Sequence, residues 1–108
     1  MNQPTNRINA LLKILENEPN DEFSLYALAL EYRSVNDDIS AINMLDKLVI
    51  NHPKYLPAYY ILAELLTKHD AFYKAIQIAK EGKQLALAQK NMKTAGELQT
   101  LIDMWSDD

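Results

Sequence analysis

The sequence predicts an all-α protein of about six helices, packed as a stack of antiparallel helix pairs. The strong helix formers Ala, Leu, Lys, Glu and Gln together make up 49 of the 108 residues, and runs of β-branched residues are absent, which is typical of helices rather than strands. Apolar residues recur at spacings of three and four, as amphipathic helices require. The breaks between these stretches leave only short connections, so each helix is expected to pack antiparallel to its neighbour.

Proline and polar residues mark the ends of the predicted helices. Pro4 can open the first helix, because the missing proline N–H costs nothing there, and Pro19 ends it. Asp21 is the predicted N-cap of the second helix. The later helices are predicted to run from about 21 to 35, from 39 to just before Pro53, from 57 to about 69, from about 71 to 89 and from about 92 to 105.

The two end helices carry apolar stripes that should face inward. The stripe of the first helix is Ile8, Leu11, Leu12 and Leu15, and that of the last is Ala95, Leu98, Leu101, Ile102 and Trp105. Trp105 is expected to close the end of the core, and the alternative is a dimer contact, since an open end of such a stack is a ready apolar surface.

Composition excludes several classes of chemistry. Cys is absent and Gly occurs only twice, so the chain has no disulfide, thiolate nucleophile, zinc–thiolate site or Gly-rich phosphate loop. His52 and His69 lie at predicted helix ends, without enough nearby ligands for a metal and without a Ser nucleophile in a recognisable arrangement. Asp37-Asp38 and Asp107-Asp108 are expected to cap or flank helices rather than act as catalytic dyads. We therefore predict no enzyme activity, no cofactor and no metal.

Charge and hydropathy limit the partners and the compartment. The net charge of −4 disfavours nucleic acid. The lysines that cluster on and after the fifth predicted helix lack aromatic interleaving and are expected to form a solvated face: Lys74, Lys80, Lys83, Lys90 and Lys93. The longest nearly apolar stretch, residues 55–66, is too short for a membrane span and contains Pro57 and Glu64. No signal peptide is evident, so a cytoplasmic protein that does not bind membranes is expected.

Self-similarity appears at a spacing of 34 residues. The repeated positions are Pro19 and Pro53, Tyr26 and Tyr60, Leu28 and Leu62, Ala29 and Ala63, Ala41 and Ala75, and the series Ile8, Ile42 and Ile76. These positions are the small and apolar sites where paired helices must touch. One helix pair cannot bury both of its faces, so such units stack into a short α-solenoid with capped ends.

The repeated residues resemble the tetratricopeptide repeat family. Its first-helix pattern of Leu, a small residue and an aromatic appears as Leu28, Ala29 and Tyr32, and less completely as Leu62, Ala63 and Leu66. The resemblance implies a single domain over 1–108: a half-unit helix at 4–19, repeats at 22–55 and 56–89, and a capping helix at 92–105. Leu87 replaces the terminal proline of the second repeat, so the fifth helix should overrun the usual length.

By this resemblance, the first helix of each repeat lines a concave groove that binds a peptide or protein segment. The groove residues would be Phe23, Tyr26, Leu30 and Arg33 from the first repeat and Tyr60, Glu64, Thr67 and Lys68 from the second. Aromatic residues with an arginine suit a partner interface. The alternative at this face is that terminal helices cover Phe23 and Leu30.

Two further expectations concern the partner. Tyr26 and Leu30 stand where the family's carboxylate-binding Lys and Asn would be, so a chaperone-tail ligand is disfavoured. The leading hypothesis is a non-catalytic interaction module, and the alternative is a structural unit that forms a homodimer through the apolar ends of the solenoid.

Overall fold

The computed structural model describes residues 3–106, with side chains from Asn6 onward. Within these residues it contains α-helices and no strand, which confirms the predicted fold class. The six helices of the described residues are α1 Gln3–Asn17, α2 Glu22–Ser34, α3 Asp38–Asn51, α4 Leu56–Lys68, α5 Phe72–Ala88 and α6 Met92–Trp105. The bounds of α2 to α6 agree with the predicted ones to within about one residue. Polar side chains cap the starts of α2, α3 and α6, and a proline lies in the first turn of α4.

The helices form two compact units, one ending at Pro53 and the other beginning at Lys54. In the first unit α2 packs against both α1 and α3, and in the second α5 packs against both α4 and α6, with α4 also touching α6. The repeated alanines are buried on these paired helices: Ala29 and Ala41 in the first unit, and Ala63 and Ala75 in the second. Burial of these four small residues is what closely crossing helices require.

Short polar side chains start three of the helices in the same way. Asp21 accepts hydrogen bonds from the Ser24 backbone N–H (2.9 Å) and hydroxyl (2.6 Å), which confirms the predicted cap of α2. Asp37 caps α3 through the N–H of Ser40, so this acid is a cap as expected. Asn91 caps α6. These caps satisfy N–H groups that have no partner inside the helix. The second acid pair, Asp107-Asp108, lies outside the described residues.

Three helices end in a left-handed residue that is not glycine. Asn36, Asp70 and Lys90 have φ of 64°, 64° and 60° after α2, α4 and α5. In each turn, the residue that follows donates its N–H back into the last helical turn, as in the bond from Asp37 N to Tyr32 O (2.9 Å). This geometry is the Schellman motif. Asn and Asp tolerate the left-handed region, whereas Lys has a steric cost there.

The residues that end α3 and α5 bind the loops that precede α2 and α4, each within its own unit. In the first unit, the His52 Nε2 donates to the backbone carbonyl of Asn20 (2.5 Å). In the second, the Gln89 Nε2 donates to the carbonyl of Lys54 (2.9 Å). Asn20 and Lys54 are 34 residues apart, so two different side chains supply the same contact at repeat-equivalent positions.

Two expectations about the end helices need correction or refinement. Trp105 does not close the core completely: its ring stacks on Phe72 with centroids 4.8 Å apart, and it remains 37% exposed because it lies in the last turn of α6. Leu12 of the predicted inner stripe is also exposed, since it lies at the edge of the α1 face that meets α2. The predicted overrun of the fifth helix is confirmed, because α5 has 17 residues against 14 in α3.

Candidate partner-binding faces

The predicted residues of the first unit lie along one side of α2, which we call the α2 face: Phe23, Tyr26, Leu30 and Arg33. Their spacings of three and four residues place them on one stripe of the helix. Phe23 is 70% exposed, and the other three are half-buried. The alternative that terminal helices cover Phe23 is therefore wrong for the described residues. Leu30 is only partly covered.

Tyr26 and Arg33 interact electrostatically on this face. Partial burial raises the pKa of the Tyr26 phenol above its ordinary value, and the positive charge of Arg33 opposes that rise. The opposite side of α2 is occupied within the unit, because Glu31 pairs with Arg7 of α1 at 2.9 Å and Leu25, Leu28 and Ala29 are buried. The α2 face thus combines aromatic, aliphatic and cationic groups on a side that the helix does not use for its core.

The predicted residues of the second unit lie along one side of α4, which we call the α4 face: Tyr60, Glu64, Thr67 and Lys68. Tyr60 and Thr67 are half-buried, and Glu64 and Lys68 are exposed. The Thr67 hydroxyl donates to the backbone carbonyl of Glu64 (2.7 Å), which places it against its own helix. Glu64 and Lys68 are therefore the most exposed side chains of this face.

Glu97 of α6 belongs beside Tyr60, and sequence reasoning missed it. Burial raises the pKa of the Tyr60 phenol, and the nearby carboxylates of Glu64 and Glu97 raise it further, together with the hydrogen bond that the phenol donates to Glu64. Glu97 lies 37 residues after Tyr60, and only the packing of α6 against α4 brings them together. Repeat alignment does not provide a signal for this contact, because it matches Glu97 with Ala63 or, when Leu98 is aligned with Leu62, with Ile61, and neither residue belongs to the α4 face.

The structure also shows where the histidines and the clustered lysines lie. His52 and His69 are the C-caps of α3 and α4, as their predicted positions implied. The predicted lysine cluster is not one surface, because Lys83 donates to Gln99 of α6 (2.5 Å) while Lys90 occupies a turn. In the described part of the chain, no group of three or more His, Cys, Asp or Glu residues could hold a metal.

One further surface feature lies away from the α2 and α4 faces. An open hollow on α5 is lined by Tyr73, Ile76, Gln77 and Lys80, which share one side of that helix. Tyr73 is 85% exposed there, so the hollow is shallow.

Among residues 3–106, no helix combines the length and the apolar character needed to cross a bilayer.

Comparison with solved structures shows similar folds. A solution structure of a tetratricopeptide repeat domain protein from Salinibacter ruber is 30% identical, with a TM-score of 0.76, over 82% of this chain and 89% of that one. A crystal structure of the Salinibacter ruber domain is 30% identical, with a TM-score of 0.72, over 76% of this chain and 91% of that one. The crystal structure of MamA is 21% identical, with a TM-score of 0.67, over 92% of this chain and 66% of that one, and so supports the fold alone.

Comparisons based on sequence families give no match: no family model matches the chain, and no curated protein does. The Salinibacter ruber domain is nevertheless similar in sequence as well as in fold, over most of its length. With its two copies of the small-residue helix pair, this chain belongs to the tetratricopeptide repeat family.

Proposed function

We propose that this chain is a non-catalytic protein-interaction module, and that its α2 and α4 faces bind an extended peptide or protein segment. The similarity to tetratricopeptide repeat domains supports an interaction module in general. The observation that carries the finer proposal is the α2 face, where Phe23 is 70% exposed next to Tyr26 and Arg33. A cytoplasmic location accords with such a module and stays a prediction.

The composition of the α2 face favours binding over mere solvent exposure. Tyr and Arg are enriched among the residues that dominate binding energy, because each combines a large contact area with directed polar groups. Tyr26 is already partly desolvated and Leu30 is half-buried, so a ligand would remove the remaining water at modest cost. Phe23 offers the largest exposed aromatic surface of α2.

A displayed library of random linear peptides tests this proposal even though the natural partner is unidentified. Peptides selected on the wild-type chain are synthesised and titrated against Tyr26→Ala, Tyr60→Ala and the matched control Tyr73→Ala, whose tyrosine lies on the exposed side of α5. Truncation of a hot-spot tyrosine should weaken binding by about tenfold or more, which corresponds to about 1.4 kcal/mol. Circular dichroism verifies that each variant keeps its helices.

The control decides how the result is interpreted. We expect Tyr73→Ala to bind as the wild type does, while Tyr26→Ala and Tyr60→Ala lose affinity. Peptides that bind all three variants equally would contradict the proposal, and so would peptides that depend on Tyr73 alone.

A homodimer is the second candidate, and the end of α6 favours it. Trp105 is 37% exposed and its neighbour Met104 is 61% exposed, so apolar surface remains in the last turn. Light scattering over a range of protein concentrations, with Trp105→Ala as the comparison, tests this candidate. A mass that rises with concentration in the wild type alone would support it, and a monomer at every concentration would contradict it.

A further inference from the structure

One side of α1 is exposed where the equivalent sides of α3 and α5 are buried. Its residues, which we call the α1 seam, are three and four positions apart: Arg7, Leu11, Ile14 and Glu18. Ile14 is 44% exposed, Arg7 and Glu18 are also exposed, and Leu11 is half-buried. The residues one and two repeat lengths later are buried, apart from the half-buried His52: Ala41, Leu45 and Leu48 on α3, and Ala75, Ala79, Gly82 and Ala86 on α5.

The repeat units indicate what kind of element covers this position. α3 packs against the helix that precedes it, α2, and α5 packs in the same way against α4. Within residues 3–106 no helix precedes α1, which packs against the following helix α2. None of the described side chains of α1, residues 6–17, is fully buried. The element that matches the α1 seam is therefore a second helix, placed antiparallel as in the repeats.

The composition of the α1 seam is that of a contact rather than of a solvated surface. Between the exposed Met92 and Met104 near its ends, α6 exposes a small residue and otherwise polar ones: Lys93, Gly96, Glu97, Thr100 and Asp103. The α1 seam instead has Leu11 and Ile14 at its centre, with one charged residue at each end. An apolar centre with a polar rim is typical of protein interfaces.

We propose that the α1 seam binds the α1 seam of a second copy of this chain, with the two α1 helices antiparallel. The charges favour this occupant, because Arg7 begins the seam and Glu18 ends it. Arg7 and Glu18 lie equally far from the centre of the seam, and so do Leu11 and Ile14. An antiparallel copy therefore places Arg7 opposite Glu18 and Leu11 opposite Ile14, and a two-fold axis makes each contact twice.

The two charged residues are placed to make these contacts. The backbone N–H of Glu18 donates to the Ile14 carbonyl (3.0 Å), so position 18 continues the helical path beyond Asn17. The Arg7 Nε pairs with Glu31 of α2 at 2.9 Å, while the arginine side chain stays 53% exposed. A guanidinium has five N–H donors in all, so Arg7 can also donate to a carboxylate of the second copy.

The proposal is independent of peptide binding at the α2 and α4 faces. The α1 seam lies on a different helix from either face, and α1 meets α2 at Glu31, on the side opposite the α2 face. A dimer of this kind would present two copies of each face, which strengthens the binding of a partner that carries two segments.

A matched pair of variants tests the apolar centre by sedimentation equilibrium. One helix pair is a small interface, so the protein concentrations extend to about 1 mM. Ile14→Gln and Leu12→Gln alter residues of similar exposure, 44% and 40%, which lie two positions apart and so on opposite flanks of α1. We expect Ile14→Gln to raise the dimer dissociation constant about tenfold or more, and Leu12→Gln to change it less than about twofold. A wild type that is monomeric throughout, or equal effects of the two variants, would overturn the proposal.

Charge reversal tests the antiparallel pairing. Glu18→Lys places a lysine opposite Arg7, and Arg7→Glu places two acids opposite each other, so each variant alone should dimerise about threefold to tenfold more weakly. A mixture of the two variants restores both pairs of opposite charge and should form a heterodimer about as tight as the wild-type dimer. Glu16→Lys, at an exposed acid of α1 outside the seam, is the control. A mixture that associates no better than its components would contradict the pairing.

Circular dichroism accompanies these measurements, because Arg7→Glu also removes the pair with Glu31. If that variant loses helix, the comparison of Glu18→Lys with Glu16→Lys decides alone, and equal dissociation constants would overturn the proposal.

Two further outcomes would assign the contact elsewhere. A dimer that Trp105→Ala abolishes and Ile14→Gln does not would lie at the end of α6, and the proposal would fail. A monomeric chain whose selected peptides lose affinity for Ile14→Gln would have a foreign segment on the α1 seam, which also overturns it. Neither outcome affects the interaction module, which the Tyr26 and Tyr60 variants test separately.

Discussion

Gly82 of α5 lies so close to Tyr59 of α4 that a Cβ atom at position 82 would stand 2.7 Å from the Tyr59 Cβ. That atom is fixed to the backbone of α4 and cannot rotate away. The same added Cβ would come within 3.1 Å of a Leu98 methyl group on α6. Gly82 therefore sets how closely all three helices of the second unit approach one another.

We predict that Gly82→Ala destabilises the protein although alanine is the better helix former. Overpacking of this kind costs about 1–3 kcal/mol, which exceeds the roughly 0.8–1 kcal/mol gained in helix propensity. Gly96 of α6 provides the matched control, because an added Cβ there meets nothing within 4 Å. Gly96→Ala should raise the free energy of unfolding by about 0.5–1 kcal/mol. Urea unfolding of both variants checks this pair, and stabilisation by both substitutions would contradict the close approach.

The backbone geometry of Lys90 leads to a second prediction about stability. Its φ of 60° lies in the left-handed region, which costs an ordinary side chain about 1 kcal/mol. Lys90→Gly should therefore stabilise the protein, with the gain measured as a higher urea midpoint. Asn36→Gly, at the equivalent turn after α2 with φ 64°, should change stability less, since Asn tolerates this region. A destabilised Lys90→Gly would show that its side chain contributes more than its backbone costs.

His52 and Gln89 each donate a side-chain hydrogen bond to the carbonyl of a preceding loop, Asn20 and Lys54 respectively. We therefore predict that glutamine can partly replace histidine at position 52. His52→Ala removes the donor to the Asn20 carbonyl and should lower the free energy of unfolding by about 0.5–1.5 kcal/mol. His52→Gln keeps an N–H donor, as Gln89 uses in the second unit, and should recover part of that loss. Thermal and urea unfolding measure both. Equal losses in His52→Ala and His52→Gln would mean that the ring itself, rather than the hydrogen bond, stabilises the first unit.

The cap of α2 predicts a dependence on acid pH. The hydroxyl and then the backbone N–H of Ser24 lower the pKa of Asp21 below 3.8 by stabilising its carboxylate, with a smaller contribution from His52. The ionised Asp21 carboxylate therefore stabilises the folded state fully above pH 3.8, and this contribution is lost as the pH falls through the lowered pKa that Asp21 has in the folded state. Asp21→Asn keeps a capping oxygen but removes the titration. Its stability should fall less steeply on acidification than that of the wild type, and parallel curves would contradict this assignment.

Local sequence signals predicted the elements of this fold well. Asp21 and Asp37 are short side chains that cap helices by contacts three residues away, so the sequence alone contains both partners. The small residues Ala29 and Ala63 marked the paired helices because their spacing matches a repeat unit. Such features depend on neighbours in the chain or on an exact period.

Contacts between distant positions were not predictable in the same way. The approach of Gly82 to Tyr59 depends on how α5 crosses α4, and the position of Glu97 at Tyr60 depends on how α6 packs on α4. The tie between His52 and Asn20 joins a helix end to a loop 32 residues away. Trp105 was expected inside because its spacing continues an apolar stripe, but a helix terminus has neighbours on fewer sides.

The most direct test of the binding proposal is a chemical-shift map of the ¹⁵N-labelled chain, titrated with the tightest peptide from the library. We predict that the largest shifts fall on the α2 and α4 faces, around Tyr26, Arg33 and Tyr60. Ile39 of α3 and Tyr73 of α5, which are 73% and 85% exposed, should stay unchanged. Shifts concentrated at Ile39 and Tyr73, with the α2 and α4 faces unmoved, would contradict binding at these faces.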